Sequence, residues 1–331
     1  MTDQNPASAI EPATPFDHRK ARRTVFVLAS AQALSMTGAS IVMLVTALAG
    51  VYLAPDPRLA TLPLAVQFVA TMLTTFPAAL WMKRAGRRIG FSFGQVIGIG
   101  GGLIGCYALL QGSFTLLILS AVFLGAHNAF WGYYRFAAAE AAAPDKRAKA
   151  ISLVMAGGIF SAVLGPELAM ATRELFSPVL FAGCYAAIAA LSAFTICLIQ
   201  TAALTKPIPA PISETTVERP LPEIVRQPKF IVAAISAMVG YGVMILVMSA
   251  TPLSMVDCGF AFEDAAFVIQ WHALAMFGPS FFTGTLIKKF GALRIILAGV
   301  VLNVLSMTSN LAGVELINFW FGLVALGLGW N

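Results

Sequence analysis

The chain has 331 residues, of which 59% are apolar and only 11% charged, and its mean hydropathy is +0.83. A soluble chain carries about a quarter of its residues as charges, so this composition excludes a water-covered globule and places most of the surface in lipid. The net charge of +6 invites a nucleic-acid partner, but the basic residues fall in short clusters between apolar runs, with no basic stripe or aromatic platform, which excludes that class.

In chain order, residues 1–20 begin polar and rich in Ala and Pro, without the charged start and apolar stretch of a signal peptide, and read as a disordered cytoplasmic tail. Ten apolar runs follow, at 24–52, 60–82, 90–111, 114–139, 150–174, 179–200, 230–251, 265–287, 292–312 and 315–331. Nine are long enough to span a bilayer as helices and the last is partial. The expected fold is an all-α membrane protein: a six-helix bundle at 21–200, a proline-rich, charged linker at 201–229, and a second bundle of four helices at 230–331. Within the linker, Leu221 to Arg226 reads as a short amphipathic helix on the membrane surface. The chain stops inside its tenth apolar run, where a terminal carboxylate would meet hydrocarbon, so the second bundle is expected to be truncated at its C-terminus.

Orientation follows from where Lys and Arg fall. The tail, every second connection and the linker carry 18 of the 21, leaving only Arg58, Arg135 and Arg173 elsewhere. That alternation supports the span count and puts the N-terminus and linker in the cytoplasm; the expected location is a bacterial inner membrane. The cysteines Cys106, Cys184, Cys197 and Cys258 form no CxxC pair and read as small apolar residues. No cofactor-binding or metal-binding pattern stands out.

The two halves repeat. At an offset of 205 residues, Ala79-Leu-Trp-Met-Lys83-Arg84-Ala85-Gly86 aligns with Gly284-Thr-Leu-Ile-Lys288-Lys289-Phe290-Gly291, each closing the second helix of its half. At the same offset Gln67 falls on His272. The first copy continues into Arg87-Arg88 and resembles the second-to-third-loop signature of the major facilitator superfamily, G-x-x-x-D-R-x-G-R-R, with Ala79 in place of the first glycine and Lys83 in place of the acid. Glu140 followed seven residues later by Arg147 is a second family-like feature. Ser161-x-x-x-Gly165-Pro166-x-x-Ala169 is similar to the family's antiporter motif. The resemblance implies a twelve-helix fold of two pseudo-symmetric bundles around a central cavity, working by alternating access. It also implies a cytoplasmic charge network drawing Arg84, Arg87 and Arg88 towards Glu140 and Arg147, lacking its acid at Lys83.

Ionisable and polar groups inside spans are costly and mark function by default. Glu167 follows Gly165-Pro166 and lies about 25 Å from the cytoplasmic start of its helix. It is a candidate proton-coupling group, with an outer-vestibule role or pairing to Arg173 as the plainer readings. His127 and Asn128 lie mid-membrane in the fourth span, and Gln270 and His272 in the eighth; each is a substrate or relay candidate whose plainer reading is a helix-packing hydrogen bond. Gln32, Gln67 and Gln95 are further polar spots. Arg135 is expected to snorkel or join Glu140. Gly90, Gly94, Gly98 and Gly102 make one stripe on the third helix, a close-packing seam. The strings matching G-x-S-x-G and G-x-G-x-x-G there lack the preceding strand that either motif needs.

The expected function is a monomeric secondary transporter, proton-coupled, moving a small organic solute such as a drug or metabolite. No catalytic group faces another at membrane depth and no phosphate-binding loop is present, which argues against an enzyme and against ATP drive. A non-transporting receptor or scaffold is the alternative, and an intramembrane enzyme a weaker one.

Overall fold

The structure is a computed structural model that describes residues 17–204 and 221–331. The tail expected at 1–16 and the central part of the linker, 205–220, lie outside the described residues. Among the described residues there are fourteen α-helices, two short 3-10 turns and no strand. In order they are α1 (His18–Leu53), α2 (Leu62–Ala85), α3 (Arg87–Leu110), α4 (Phe114–Trp131), α5 (Tyr134–Ala141), α6 (Arg147–Met155), α7 (Gly157–Thr172), α8 (Ala182–Gln200), α9 (Leu221–Val225), α10 (Pro228–Asp257), α11 (Phe262–Phe277), α12 (Ser280–Phe290), α13 (Ala292–Ala312) and α14 (Leu316–Trp330). The short α9 stands where the sequence pattern places a linker helix.

The ten apolar runs each become one helix or a broken pair. Among the described residues eight spans are long and apolar enough to cross a membrane, nine when α11 and α12 count as one, with α14 as a shorter apolar helix. Three spans are interrupted: α4 gives way to α5 at Gly132-Tyr133, α6 to α7 at Ala156, and α11 to α12 at Gly278-Pro279 with a 44° bend. Pro279 has no N–H to give, so the break frees backbone groups. The Asn331 side chain reaches into it: its amide donates to the Met276 carbonyl (2.8 Å) and the Ser280 hydroxyl (2.5 Å), and its oxygen accepts from Thr283. Backbone freed at membrane depth needs such a partner.

Helix ends follow local chemistry. The Asp17 carboxylate caps α1 by accepting the Arg19 and Lys20 N–H groups at 3.0 Å. The Lys20 N–H is the main reason its pKa lies below the ordinary carboxylate value. Between α2 and α3, Gly86 has φ 94°, ψ 155°; between α12 and α13, Gly291 has φ 84°, ψ 151°. Their N–H groups close the preceding helices on Met82 (3.0 Å) and Ile287 (2.9 Å). That backbone region is open to glycine almost alone, so the 205-residue repeat is a repeat of conformation as well as of sequence.

The glycine stripe on α3 is a packing seam. A Cβ at Gly94 would strike the Phe130 ring of α4, and one at Gly102 would lie 2.7 Å from backbone atoms of Tyr185 and Ala189 in α8. At Gly98 it would meet Ser192 of α8 and His127 of α4. A second kind of close crossing recurs in both halves. Gly125 of α4 lies against the backbone carbonyl of Gln67, and Gly327 of α14 against that of His272.

Buried side chains form two clusters. The larger runs through both halves, joining Leu48, Ala169, Phe181 and Tyr185 to Met255, Phe262, Ala265 and Ile269. The smaller, with Leu28, Met82, Phe91, Phe130, Tyr134 and Ile199, is built from the first half alone and lies toward the basic loops.

Candidate functional site

At the end carrying the basic loops, Arg87 at the start of α3 meets Glu140 in α5 by two bonds, Nη2–Oε1 at 2.6 Å and Nε–Oε2 at 3.2 Å. A two-pronged guanidinium–carboxylate pair holds both position and angle. Arg87 is 16% exposed and Glu140 52%, so the pair sits at the rim. Arg88 donates to the Ala202 carbonyl after α8 (2.5 Å). Lys83, Arg84 and Arg147 are exposed and form no ion pair among the described residues. Of the five groups expected to cluster, the structure therefore brings two together, and Arg147 is not one of them. Arg135 lies over the Phe136 ring, 5.0 Å from its centre, and does not join Glu140. Lys288 and Lys289 are exposed, Lys289 over the Phe290 ring at 5.2 Å.

At the opposite end the halves meet. Arg173, just past α7, pairs with Glu263 in the first turn of α11 (3.0 Å) and with its neighbour Glu174 (2.8 Å), and stacks on Phe262 at 5.2 Å. Phe181 packs on Phe262 with ring centres 5.5 Å apart. Deeper, α7 lies so close to α11 that a Cβ at Gly158 would come within 2.6 Å of the Phe277 ring. Arg173–Glu263 is the one ion pair between the halves among the described residues. Gly165 packs on Ser40 of α1, while the Ser161 hydroxyl bonds back to Gly158 (2.8 Å). The antiporter-like motif therefore forms the α1 side of α7, with Pro166 buried inside it.

Glu167 is exposed, on the side of α7 that carries Phe160, Val163 and Leu164, away from Gly158 and Gly165. It pairs with no cation among the described residues; Arg173 is engaged with Glu174 and Glu263 instead. His127 is buried between α3, α4 and α8, its Nδ1 on the Gly94 carbonyl at 2.9 Å. His272 is fully buried, its Nδ1 on the Leu323 carbonyl at 2.8 Å, so it ties α11 to α14; its Nε2 has no protein partner. Gln32 and Gln67 are likewise buried with an unpartnered Oε1. Asn128 accepts from the Trp131 indole (2.9 Å), and Gln270 is half-buried. Gln95 donates to Ser35 (2.9 Å) and Tyr134 (2.7 Å), locking α3 to α1 and α5. Between the halves an aromatic group stands partly open: Tyr241 of α10 meets Phe68 of α2 (centres 6.0 Å) and Trp330 of α14 (5.3 Å).

The two halves are thus bundles of interrupted spans joined, among the described residues, by one ion pair at the end away from the basic loops. The family model described as Major Facilitator Superfamily matches residues 28–331. The chain belongs to the Major Facilitator Superfamily. It is thus an integral membrane transporter and not an enzyme. Among its relatives, the riboflavin transporter RfnT of Brucella anthropi is 38% identical over 317 residues, covering 95% of this chain and 79% of that protein. The uncharacterized MFS-type transporter YdeG of Bacillus subtilis is 29% identical, over 94% and 75%. In fold, the chain is similar to a bacterial homolog of the human lysosomal transporter Spinster (TM-score 0.64, 18% identity, 95% and 74% covered). It is also similar to the xylose transporter XylE of E. coli (TM-score 0.65, 12% identity, 94% and 83% covered).

For this superfamily member, sequence reading missed the Arg173–Glu263 contact and the Phe68–Tyr241–Trp330 group. Both join segments far apart in the chain, in different halves, where spacing carries no signal. The one cue was Arg173 itself, one of the two basic residues in the otherwise cation-poor loops.

Proposed function

We propose that this transporter is a proton-coupled secondary carrier of a small organic solute, with riboflavin the first candidate. It acts as a monomer in a bacterial inner membrane with its N-terminus and basic loops in the cytoplasm. Its two bundles, 21–200 and 230–331 about a linker at 201–229, rock past one another. The observation that carries the reading is the uneven core: buried packing runs through both halves at the Arg173–Glu263 end and stays within the first half at the basic end. That is one side of an alternating-access cycle, open toward the basic loops. Riboflavin as cargo is supported by the relative at 38% identity and by the Phe68, Tyr241 and Trp330 rings, which suit a flat heteroaromatic solute. Gln32, Gln67, Asn128 and Gln270 are the proposed polar contacts. Arg87–Glu140 is the proposed inner clamp, released and remade as the halves rock. Glu167, the carboxylate inside a span and away from its ends, is the proposed proton carrier; His127 and His272 hold neighbouring helices together.

The test is riboflavin flux into proteoliposomes, followed by flavin fluorescence, with and without an imposed pH gradient. Gradient-stimulated flux, lost in Tyr241→Ala, is expected. No flux in either condition would remove riboflavin as cargo. Flux in Glu167→Gln with unaltered pH dependence would remove that residue as the coupling group.

A further inference from the structure

At the basic end, a cavity of about 990 Å³ opens between the start of α1 and the segment joining α5 to α6. Arg19, Arg22, Arg23, Lys146 and Lys149 line it, and no acidic residue does among the described residues. Arg22, Arg23, Lys146 and Lys149 make no ion pair or side-chain hydrogen bond among the described residues. Cations gathered in a concave space repel one another unless an anion enters. The remaining wall is apolar: Val25 and Ala150 are buried at its base, and Phe26 and Leu153 are 66% and 48% exposed beside it. Basic loops that only set orientation need no such concavity, since counting charges near span ends suffices.

We propose that this cavity binds an anionic phospholipid, its phosphate among Arg22, Lys146 and Lys149 and an acyl chain along Phe26 and Leu153. A free phosphate would use the cations alone. The apolar wall, placed where spans meet the headgroup layer, favours the lipid. None of the residues proposed to contact the solute lines this cavity.

The experiment counts phosphatidylglycerol bound to the purified full chain by native mass spectrometry, with phosphatidylcholine as competitor. Each surface cation strengthens anionic-lipid binding by about fivefold, so Arg22→Gln/Lys149→Gln should weaken phosphatidylglycerol by roughly thirtyfold. Arg226→Gln/Lys229→Gln removes the same charge outside the cavity and should leave binding within about twofold of the parent chain. The conservative pair Arg22→Lys/Lys149→Arg should retain binding, which separates lost charge from lost fold. Equal loss in both neutralised pairs, or loss in neither, overturns the proposal. Displacement of phosphatidylglycerol by equimolar inorganic phosphate or flavin mononucleotide also overturns it, assigning the cavity to free phosphate instead.

Discussion

Replacing Glu263 by Gln removes the charge that joins the two halves while keeping the side chain's size. Arg173 is 24% exposed and Glu263 55%, so water competes for the pair, and it contributes about 0.2–1 kcal/mol. Arg173 keeps its contacts with Glu174 and the Phe262 ring in that variant. Arg173→Gln removes the ring contact as well, adding about 0.5–1 kcal/mol. At about 1.4 kcal/mol per factor of ten, the ratio of closed to open forms at this end falls roughly 1.5–5-fold in Glu263→Gln. In Arg173→Gln the fall reaches about thirtyfold. Spin labels at Ser177→Cys and the native Cys258, with Cys197 replaced by Ser, flank the contact on exposed sites. Electron–electron distance measurements in lipid nanodiscs should show a longer component growing in the order parent, Glu263→Gln, Arg173→Gln. Because the pair is partly solvated, 1 M salt should shrink the difference between parent and Glu263→Gln. Unchanged distance distributions in both variants would refute the latch, as would a distribution that shortens in either.

Gly86→Ala and Gly291→Ala each place an L side chain in a glycine region and should cost about 1–3 kcal/mol, read as a lowered melting temperature in detergent. The loss at Gly291 must come from backbone conformation, since nothing lies within 4 Å of a Cβ there. Gly102→Ala presses on the α8 backbone and should destabilise by about 1–3 kcal/mol, whereas Gly242→Ala, which meets nothing within 4 Å, should be neutral or up to about 1 kcal/mol stabilising; equal melting temperatures would contradict the seam. Glu140→Gln leaves Arg87 without its carboxylate partner and should speed labelling of a cysteine introduced at Ala138, which is buried two residues away in α5. Labelling no faster than in the parent would show that the pair does not hold α5.

The spans were legible because lipid selects composition and length, which the chain displays directly. Their interruptions were not, because an apolar run looks alike whether or not its hydrogen-bond ladder is continuous. Proline does not resolve this: Pro77, Pro166 and Pro252 lie inside unbroken helices, while the span broken at Ala156 has no proline at its break. At Gly278-Pro279 a distant side chain, Asn331, meets the Met276 carbonyl, and that is a tertiary fact. Among site residues, Arg87 and Glu140 belong to the charge network that the family resemblance implies, though the resemblance does not single out this pair. Which way Glu167 points did not, since periodicity marks faces of a helix but not what stands opposite them.

The two turn glycines explain an oddity of the repeat. Of the signature at the first copy, a leading glycine became Ala79 and an acid became Lys83, yet Gly86 stands, and its twin Gly291 stands 205 residues away. Charge can drift, because another side chain nearby can take over its partner. A backbone angle that only one amino acid adopts has no substitute. In a chain whose halves share so little visible likeness, the turn glycine stands in both copies beside the basic Lys83 and Lys288, so the repeat is written in the path of the backbone as well as in its charge.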